Sequence, residues 1–471
     1  MRIVSLGRRK SFPRGIHPPS RKYTEASPIQ LFTPVKDVLI PMAQHIGAAC
    51  TPTVQSGQTV RIGEKIGDSD APVSAPIHAS INGTIGAGTV GLLPSGRRVP
   101  ALPIKPAPDG GAQPSGFLAD FLDRHWDGTD ATRYEPDEIC HAIRAGGIVG
   151  QGGATFPTFI KLKKDPNRPV DTVLLNGAEC EPYLTADHRL MLECPEGIIV
   201  GLQLAMRSSG ADRGLICIES NKPDAIDAMR AAAAGRPGIE VVVCDSKYPM
   251  GGERQLIPAV LGRTVPSAPK GLPLDVGVVV INVATAHAIA RAVVRQKPLT
   301  HRVVTVTGRG VRRPANWLVP LGVLFADLLE ASGGMTDDAV KVLAGGPMMG
   351  PCVPHLNVPV VKGTGGITVL SEAEAVRFEE SPCIRCGRCI DNCPLHLAPT
   401  KIAQAVRHRD YDLAARYDMD ACCECGCCAY VCPAHIPLPQ YIRAGKNQWR
   451  ILQEQKKRRA AQPAQPGAKS T

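Results

Sequence analysis

Residues 383–394 read CIRCGRCIDNCP, and residues 422–433 read CCECGCCAYVCP. Both stretches contain the spacing C-x2-C-x2-C-x3-C-P, so the same cysteine pattern occurs twice in the chain. Four cysteine thiolates hold one cubane [4Fe–4S] cluster, and this spacing is the bacterial two-cluster arrangement, in which the fourth cysteine of each run binds the other cluster. The two runs therefore predict two [4Fe–4S] clusters and a protein that transfers electrons.

The predicted iron ligands form two crossed sets of four. The first cluster is assigned to Cys383, Cys386, Cys389 and Cys432, and the second to Cys422, Cys425, Cys428 and Cys393. Zinc is a weaker alternative, because zinc sites pair C-x2-C units across a longer gap and need no third cysteine at the same interval. Disulfides are weaker still, since cysteines organised for iron indicate a reducing compartment.

The remaining cysteines are expected to be small buried apolar residues or bystanders. Cys423 and Cys427 lie inside the second run, but only the register that starts at Cys422 completes the motif. The others are Cys50, Cys140, Cys180, Cys194, Cys217, Cys244 and Cys352.

The composition of this 471-residue chain predicts several globular domains. Hydrophobic residues make up 44%, enough for a sizeable core, but the 4% of aromatic residues argue against a base-stacking surface, so we expect no nucleic acid partner. The formal net charge of +11 is compatible with an anionic membrane face or with acidic protein partners. The apolar stretches are too short or too interrupted to span a bilayer and no secretory signal is visible, so membrane association should be peripheral.

Residues 31–100 alternate short β-branched runs with glycine and proline turns, which indicates β-strands. The stretches TVQSGQTV (residues 53–60) and APIHASINGTI (residues 75–85) resemble the barrel-sandwich hybrid of biotinyl and lipoyl carrier domains. Those carriers bear a modified lysine at the hairpin tip, whereas this tip reads Ile-His-Ala-Ser. The resemblance therefore implies the fold without the carrier chemistry, and we expect His78 to be an exposed turn residue.

Strand-like and helical patterns alternate from about residue 130 to residue 300, which predicts an α/β layer on a largely parallel sheet. The strand-like runs are residues 170–175, 214–218, 239–244 and 276–281, and the helical runs are residues 225–234 and 287–295.

A glycine-dense loop, GGIVGQGGATFPT at residues 146–158, follows the helical-looking residues 137–144. Glycines let backbone N–H groups approach a phosphate closely. The loop is not a dinucleotide-binding fingerprint, because Thr155 stands where its last glycine would fall, and no Gly-Lys-Ser/Thr of a P-loop follows. By itself, the loop is explained equally well as a tight structural turn.

Three other motifs lie at or just after predicted strands, namely NGAECEP (residues 176–182), YPMGGE (residues 248–253) and INVAT (residues 281–285). Ligands of open α/β sheets bind at the carboxyl ends of the strands. Together with the glycine loop and Lys161, these motifs resemble the flavin- and NADH-binding subunit of respiratory complex I, where FMN lies in this pocket and NADH stacks on the flavin.

That resemblance implies a set of cofactor-binding residues. The predicted FMN contacts are Gly150, Gly152, Gly153, Lys161, Asn176 and Asn282. Tyr248, from the second motif, is a further predicted cofactor-binding residue. The predicted NADH contacts are Glu179, Glu181 and Glu253. This sequence departs from the family pattern at Thr155, Ala178, Arg254 and Ile281, and these changes affect the nucleotide site more than the FMN site. Hydride transfer needs no side-chain acid or base, so no catalytic residue is predicted.

The stretch from residue 303 to residue 350 resembles the soluble-ligand-binding β-grasp domain of the same complex I subunit, with residues 345–347 as a turn. GIHPP at residues 15–19 and CAYVCPAHIPL at residues 428–438 fit one family that combines all these parts. Over about residues 15–443, the chain resembles the C subunit of the Rnf ferredoxin:NAD oxidoreductase complex.

The predicted fold class is therefore a multidomain α/β plus β protein with a barrel-sandwich hybrid, a complex I-like FMN/NADH domain, a β-grasp domain and a helical two-[4Fe–4S] ferredoxin-like domain. The predicted boundaries are an N-terminal segment (1–30), the barrel-sandwich hybrid (31–100), a linker (101–129), the FMN/NADH domain (130–300), the β-grasp domain (301–370), the ferredoxin-like domain (371–450) and a disordered basic tail (451–471).

The resemblance implies a peripheral NAD(H)-handling subunit on the cytoplasmic face of the bacterial inner membrane. Its partners would be integral membrane subunits, an iron–sulfur subunit, and ferredoxin or flavodoxin through the complex, which couples electron transfer to ion movement. Two alternatives stay open, an electron-wire or docking subunit with a degenerate flavin site, and the diaphorase subunit of a soluble hydrogenase or formate dehydrogenase.

Overall fold

A computed structural model describes residues 9–107, 116–123, 125–126, 129–267, 271–375 and 378–461. The chain divides into two compact units, the first built on most of residues 17–375 and the second centred on the cysteine-rich residues 378–461. All strands within these described ranges belong to the first unit. They are β1 (Ile29–Leu31), β2 (Val38–Pro41), β3 (Thr51–Pro52), β4 (Thr59–Val60), β5 (Lys65–Asp68), β6 (Ile77–His78), β7 (Gly83–Ile85), β8 (Thr89–Leu92), β9 (Arg98–Pro106), β10 (Thr172–Gly177), β11 (Arg213–Glu219), β12 (Ile239–Cys244), β13 (Val278–Asn282), β14 (His301–Thr307), β15 (Ala315–Pro320), β16 (Ala339–Ala344) and β17 (Gly366–Ser371).

The first unit also contains helices α1–α9, and the second contains α10–α14. They are α1 (Phe117–Phe121), α2 (Pro136–Ala145), α3 (Thr158–Leu162), α4 (Ala186–Glu193), α5 (Pro195–Ser209), α6 (Pro223–Ala233), α7 (Glu253–Leu261), α8 (Val283–Val294), α9 (Phe325–Ala331), α10 (Arg388–Asp391), α11 (Pro399–Arg407), α12 (Tyr411–Arg416), α13 (Cys427–Tyr430) and α14 (Leu438–Ala461). Short 3₁₀ turns occur at Ala131–Arg133, Pro273–Val276 and Met419–Ala421.

The barrel-sandwich region consists of two antiparallel sheets, as predicted. One follows the order β2-β9-β7-β4 with β8 on β9, and the other follows β3-β5-β6. Strand β9 continues through Pro106, so the sheet extends into the segment that we interpreted as a linker from its proline content. Residues 108–115, at the middle of that segment, lie outside the described residues.

The prediction that His78 is exposed is wrong, because His78 lies on β6 and only 5% of it is accessible to solvent. Its Nδ1 atom has no hydrogen-bond partner among the described residues. Burial, and then the Lys362 ammonium, lower the pKa of His78 to about 3. The hairpin tip therefore packs inside the first unit, whereas a carrier lysine would need to be accessible.

The α/β layer is a four-stranded, all-parallel sheet in the order β12-β11-β10-β13. Its strands agree with the four predicted ones to within a few residues. Helices α5 and α8 pack closely together, since a Cβ atom on Gly201 of α5 would lie on the backbone carbonyl of Ala286 in α8. A large apolar cluster joins this layer to the barrel-sandwich and β-grasp regions, and a smaller cluster that includes Leu256 and Ile257 of α7 forms a second core of the first unit.

The β-grasp region is a mixed five-stranded sheet in the order β1-β15-β14-β17-β16. Strand β1 pairs in parallel with β15, with Gln30 opposite Trp317. The segment that we predicted as N-terminal to the barrel-sandwich hybrid thus contributes an edge strand to a sheet almost 300 residues away in sequence.

The second unit is helical around the two cysteine runs, as predicted. The stretch between the two cysteine runs forms two helices, α11 and α12. The helical conformation is interrupted at Arg409, whose φ of 60° lies in the left-handed region. The Asp410 side chain then caps α12 by accepting a hydrogen bond from the Leu413 N–H. Helix α14 continues to Ala461, so residues 451–461 of the predicted disordered tail are helical, whereas residues 462–471 lie outside the described residues.

No helix within the described parts of the chain is both long and apolar enough to cross a membrane.

Candidate functional site

The carboxyl edge of the parallel sheet brings the predicted flavin motifs together. Asn176 and Asn282 are register partners at the ends of the neighbouring strands β10 and β13, and residues 248–253 follow β12. The glycine loop reaches the same edge, because a Cβ atom on Gly152 would lie 3.0 Å from the Cβ of Asn282. This edge is where α/β sheets bind their ligands.

The glycine loop is closed at its base by backbone contacts. Val149 and Pro157 form an isolated antiparallel bridge, and the N–H of Gly150 donates to the carbonyl of Phe156 at 2.9 Å. These contacts hold the loop in one conformation without using its side chains.

The far end of the loop is anchored to α8 and is open beside Gly153. The backbone N–H of Gln151 donates to the Thr285 hydroxyl at 2.9 Å, and its side-chain amide donates to the Ala284 carbonyl at 3.1 Å. Among the described residues, no atom lies within 4 Å of a Cβ position on Gly153. The loop therefore offers accessible backbone beside a helix start, which fits a bound phosphate better than a turn that serves packing alone.

Thr155 occupies the loop position where the complex I-like pattern has glycine. Its φ of 52° lies in the left-handed region, which a β-branched residue rarely adopts. The loop thus keeps the backbone conformation that glycine favours, although the sequence has changed.

Lys161 supplies a positive charge at this edge from the short helix α3. Its Nζ lies 3.5 Å from the carbonyl oxygen of Val280 on β13. Burial lowers the pKa of Lys161, and the carboxylate of Glu253, at the first residue of α7, opposes that shift. An ammonium group held by so long a hydrogen bond keeps its capacity to bind an anionic group.

Asn176 connects two of the motifs. Its Nδ2 donates to the carbonyl of Gly251 at 2.8 Å, and its Oδ1 accepts from the N–H of Ala178 at 3.2 Å. Tyr248, at the start of the same 248–253 segment, is 2% exposed and follows a turn out of β12. Asn176 therefore positions the loop after β12 against the end of β10.

Glu179 contacts the start of α4 rather than an open pocket. Its two carboxylate oxygens accept from the backbone N–H groups of Asp187 at 2.8 Å and His188 at 3.1 Å. A carboxylate at a helix N-terminus satisfies otherwise unpaired N–H groups and is favoured by the helix dipole. This geometry favours a structural role for Glu179 over the predicted NADH contact.

The Glu181 carboxylate is also hydrogen-bonded, in this case to backbone N–H groups of the β-grasp region. Its carboxylate accepts from the N–H of Met348 at 3.1 Å and of Met349 at 2.8 Å. A Cβ atom on Gly346 would clash with Oε2 of this carboxylate, so only glycine fits there. Burial raises the pKa of Glu181 to about 7. The Glu181 carboxylate thus packs against Gly346 of the predicted turn and is bound by the two residues that follow the turn.

Asp187 is a site residue that the sequence analysis missed. Its carboxylate accepts from Nδ2 of Asn282 at 2.6 Å, while Oδ1 of Asn282 accepts from the N–H of Ala284 and so caps α8. Burial, and then the nearby Glu179 carboxylate, raise the pKa of Asp187 to about 7. Asp187 lies on α4, and no sequence motif links it to the INVAT segment.

Two lysines that the sequence analysis missed, the half-buried Lys22 and the buried Lys222, hold the NGAECEP segment in place. The Nζ of Lys22 donates to the carbonyl oxygens of Glu179, Glu181 and Leu184 at 2.6–2.9 Å. The Nζ of Lys222 donates to the Ala178 carbonyl at 2.6 Å. Burial is the main cause that lowers the pKa of Lys22 to about 8.

The cysteines predicted to hold the second cluster surround one cavity in the second unit. The cavity is lined by Cys393 from the first run and by Cys422, Cys425 and Cys428 from the second. The N–H of Leu397 donates to Sγ of Cys393 at 3.4 Å, and the N–H of Glu424 donates to Sγ of Cys422 at 3.3 Å. N–H groups directed at sulfur stabilise thiolates, so these residues fit an iron–sulfur cluster.

The cysteines predicted to hold the first cluster lie at a more exposed place. Cys383, Cys389 and Cys432 belong to one apolar cluster with Ala434 and Ile436, and Cys386 is exposed. Cys389 and Cys432 come from different runs, but Cys428 of the other predicted set belongs to the same apolar cluster, so the crossed assignment stays a prediction. Among the described residues, no group of three or more His, Cys, Asp or Glu is arranged to hold a single metal ion.

The cysteines outside the two ligand sets are mostly buried, as expected. Cys50, Cys194, Cys217, Cys244 and Cys427 are buried, Cys140, Cys180 and Cys423 are partly buried, and Cys352 is exposed.

Models of four domain families match the chain in the predicted order. They are the RnfC barrel-sandwich hybrid domain (residues 10–108), the Nuo51 FMN-binding domain (residues 143–291), the SLBB domain (residues 303–351) and the 4Fe-4S dicluster domain (residues 375–433). The predictions of an FMN domain and a two-cluster domain are confirmed at this level. The individual cofactor-binding residues and the exact domain boundaries stay predictions.

Curated relatives match over most of their length. The C subunit of the Na(+)-translocating ferredoxin:NAD(+) oxidoreductase complex of Acetobacterium woodii is 42% identical over 85% of this chain and 88% of the relative. The C subunit of the proton-translocating ferredoxin:NAD(+) oxidoreductase complex of Clostridium ljungdahlii is 43% identical over 84% of each. The C subunit of the ion-translocating oxidoreductase complex of Rhodobacter capsulatus is 40% identical over 85% of this chain and 76% of the relative.

Among solved structures, an NAD⁺-reducing [NiFe]-hydrogenase in the H₂-reduced state is 21% identical, with 70% of this chain and 67% of that chain covered and a TM-score of 0.49. The barrel-sandwich match at residues 10–108 and the 40–43% identity to the curated relatives favour the Rnf-type interpretation over a hydrogenase diaphorase. On this evidence, the chain belongs to the family of C subunits of ion-translocating ferredoxin:NAD(+) oxidoreductase complexes.

Proposed function

We propose that this chain passes electrons between NADH, FMN and two [4Fe–4S] clusters as the peripheral NAD(H)-handling subunit of a membrane-bound complex. The observation that carries the proposal is the convergence of the glycine loop, Lys161, Asn176 and Asn282 at one edge of a parallel sheet. FMN held there would supply the chemistry that connects two-electron hydride transfer from NADH with one-electron exchange with iron–sulfur clusters.

The chain's own contribution is to hold the flavin phosphate and ring. The backbone at Gly152 and Gly153 would donate to the phosphate, and the Lys161 ammonium would offset its charge. Asn282 and Asn176 are fixed by hydrogen bonds to Asp187 and Gly251, so these amides do not need to reorganise when the flavin binds. Gly150 keeps the loop closed behind them.

For the nicotinamide nucleotide, we assign the main carboxylate contact to Glu253. It lies at the start of α7 beside Lys161, whereas Glu179 and Glu181 are already engaged by backbone N–H groups. Tyr248, five residues before Glu253, would border the same pocket. Glu179 and Glu181 would then act on NADH indirectly, by fixing the NGAECEP segment.

In this proposal, one cluster would be held by Cys383, Cys386, Cys389 and Cys432, and the other by Cys393, Cys422, Cys425 and Cys428. The two clusters would supply one-electron carriers for exchange with the flavin. The chain would dock on integral membrane subunits and on an iron–sulfur subunit at the cytoplasmic face, with ferredoxin or flavodoxin acting through the complex. The net charge of +11 is compatible with an anionic membrane face and with acidic carriers.

The second candidate is an electron-wire or docking subunit with a degenerate flavin site. The substitutions at Ala178, Arg254 and Ile281 favour it, since they change positions of the nucleotide-binding pattern. In that case the chain would hold iron and sulfide without reacting with NADH.

Anaerobic titration with NADH distinguishes the two candidates. The full chain is reconstituted with iron, sulfide and FMN, and its visible spectrum is followed as NADH is added. We expect the flavin band to bleach first, followed by the broad iron–sulfur absorbance. If dithionite bleaches the clusters while NADH changes nothing, the electron-wire function replaces the proposed one.

A further inference from the structure

Two buried cations of the β-grasp region contact the glycine loop. Arg302, on β14, is 4% exposed, and Lys362, four residues before β17, is fully buried. All hydrogen bonds that these two side chains donate to described residues go to neutral carbonyl oxygens. The Asp187 carboxylate opposes the Arg302 charge but is not among its hydrogen-bond partners. Because a buried charge is costly without an ionic partner, these two cations need an explanation.

Arg302 reaches the glycine loop through Gln151. Its Nη2 donates to the backbone carbonyl of Gln151 at 2.6 Å, and its Nη1 lies 3.3 Å from the side-chain Oε1 of the same residue. Nη1 also donates to the backbone carbonyl of Lys362. The Nε atom of Arg302 has no hydrogen-bond partner among the described residues. One guanidinium group thus joins the loop to the β-grasp region, and the described part of the chain does not satisfy it completely.

Lys362 holds the start of the same loop. Its Nζ donates to the carbonyl oxygens of Gly147 and Pro76, each at 2.7 Å, and its backbone N–H donates to Oε1 of Gln44 at 3.0 Å. Pro76 and Gln44 belong to the barrel-sandwich region. Carbonyl groups at both ends of residues 147–151 are therefore bound by cations of the β-grasp region.

The contact with the Gln151 carbonyl fixes the direction of the next N–H group. In a planar trans peptide, a carbonyl and the N–H that follows it point in opposite directions. The bond between Gln151 and Gly152 is trans, since cis bonds in the described ranges occur only before Pro34 and Pro249. The N–H of Gly152 therefore points away from the Arg302 guanidinium, and no described residue accepts a hydrogen bond from it.

A purely structural tie between domains explains these contacts less completely. A neutral amide side chain could donate to the same carbonyl groups without the cost of burying a charge. Two cations beside a loop with an unused N–H instead favour an anionic group at that loop. A phosphate there would accept from the N–H and would compensate both buried charges.

We propose that Arg302 is a positioning residue for the flavin phosphate. By binding the Gln151 carbonyl it directs the Gly152 N–H to the phosphate, whose negative charge compensates the buried charges of Arg302 and Lys362. This inference rests on the FMN function proposed above. It assigns part of the flavin site to the β-grasp region, outside all the flavin motifs, and it makes the site selective for FMN over riboflavin, which lacks the phosphate.

The test compares FMN with riboflavin, because the two flavins differ only in the phosphate. The full chain is reconstituted anaerobically with iron and sulfide, and equilibrium dialysis gives the Kd for each flavin. In Arg302→Met we expect the Kd for FMN to rise about tenfold, the value of one charge-assisted hydrogen bond, while the Kd for riboflavin stays the same.

Two further variants make the result specific. Arg302→Lys keeps a buried cation but loses the planar fork that binds two carbonyl groups at once, so its Kd for FMN should rise about threefold. Arg291→Met is the matched control, because Arg291 is also a buried arginine of the first unit but donates to Asp120 on α1. Its ratio of the two Kd values should equal that of the unmodified chain.

The ³¹P NMR spectrum of the chain saturated with FMN, with the clusters oxidised, gives a readout that does not require riboflavin to bind. The phosphate resonance should move toward that of free FMN in Arg302→Met and in Arg302→Lys. It should keep its bound position in Arg291→Met.

An equal loss of affinity for FMN and riboflavin in Arg302→Met would make Arg302 a structural tie and overturn the inference. So would an unchanged Kd for FMN and an unchanged phosphate resonance in Arg302→Lys, which decides the question if Arg302→Met does not fold. Failure of the proposed function would look different, since the unmodified chain would then bind no FMN and the inference would fail with it.

Discussion

Among the glycines of the loop at residues 146–158, Gly153 is the one whose Cβ position is unobstructed. Because no described atom lies within 4 Å of its Cβ position, a larger side chain there meets no protein atom at its first carbon. A substitution can therefore test phosphate binding separately from loop folding. Gly152 does not allow this, since its Cβ position touches Asn282.

We expect Gly153→Phe to leave the thermal unfolding temperature nearly unchanged but to weaken FMN binding about tenfold or more, about 1.4 kcal/mol. The measurement is bound FMN per chain after reconstitution, together with thermal unfolding. Gly88→Phe is the matched control, because Gly88 in the barrel-sandwich region is equally unobstructed. Equal FMN content in both variants would mean that the loop is only a structural turn.

Glu181 gives the protein a specific pH dependence. Its pKa is raised from 4.5 to about 7 in the folded state, so the protonated form favours folding. The stabilising contribution is complete below about pH 4.5 and is lost as the pH rises through about 7, at about 1.4 kcal/mol for each unit of pKa difference.

Glu181→Gln should remove this contribution. The unfolding temperature of the unmodified protein, measured relative to the variant, is then expected to fall between about pH 4.5 and pH 7. Asp187, whose pKa is also raised to about 7, is present in both proteins and largely cancels in the comparison. Parallel curves for the two proteins would contradict the assignment.

At the scale of elements, helix α4 depends on a carboxylate from outside it. Glu179 accepts from the first N–H groups of α4, and Lys22 in turn holds the Glu179 carbonyl. The NGAECEP segment is thus held by the start of α4 and by the ammonium group of the half-buried Lys22, before any nucleotide binds.

A pair of matched variants distinguishes a helix-stabilising carboxylate from a nucleotide-binding one. Glu179→Gln should destabilise the protein by about 0.5–2 kcal/mol, as loss of an N-terminal helix contact does, with little change in the KM for NADH. Glu253→Gln should raise that KM with little loss of stability. A reversed pattern would make Glu179 the nucleotide contact that the family resemblance implies.

At the scale of the whole molecule, the cysteine runs and the flavin site belong to different compact units. Cys386→Ser and Cys425→Ser should therefore each lower the iron content from eight to four per chain and leave FMN content close to normal. Iron analysis and the flavin absorbance check both expectations, with Cys352→Ser as the control. Retention of all eight irons in either variant would contradict the ligand assignment.

The features predicted from sequence are those encoded over short distances along the chain. The two cysteine runs, the four parallel strands and the glycine loop each lie within a few consecutive residues, where spacing and hydrophobic pattern suffice. The features that the sequence analysis did not predict depend on partners far away in sequence. His78 is buried beside Lys362, Glu181 binds Met348 and Met349, and β1 pairs with β15.

No local pattern could have revealed these long-range contacts. A lysine such as Lys22 looks like an ordinary surface charge until three carbonyl oxygens surround its ammonium group. Asp187 likewise became a site residue only because α4 lies beside the end of β13. The candidate site was therefore predicted as a set of motifs, and its supporting hydrogen bonds were not.

The unequal exposure of the two cysteine sets has a consequence for handling the protein in air. Dissolved oxygen and chelators can reach a cluster at the exposed Cys386 directly, whereas Cys425 and Cys428 are covered. The brown colour of a loaded sample should then fade in two stages, with the first four irons lost while the other four persist. A preparation that has been exposed briefly to oxygen would then contain four irons per chain, with the same cluster missing from every molecule.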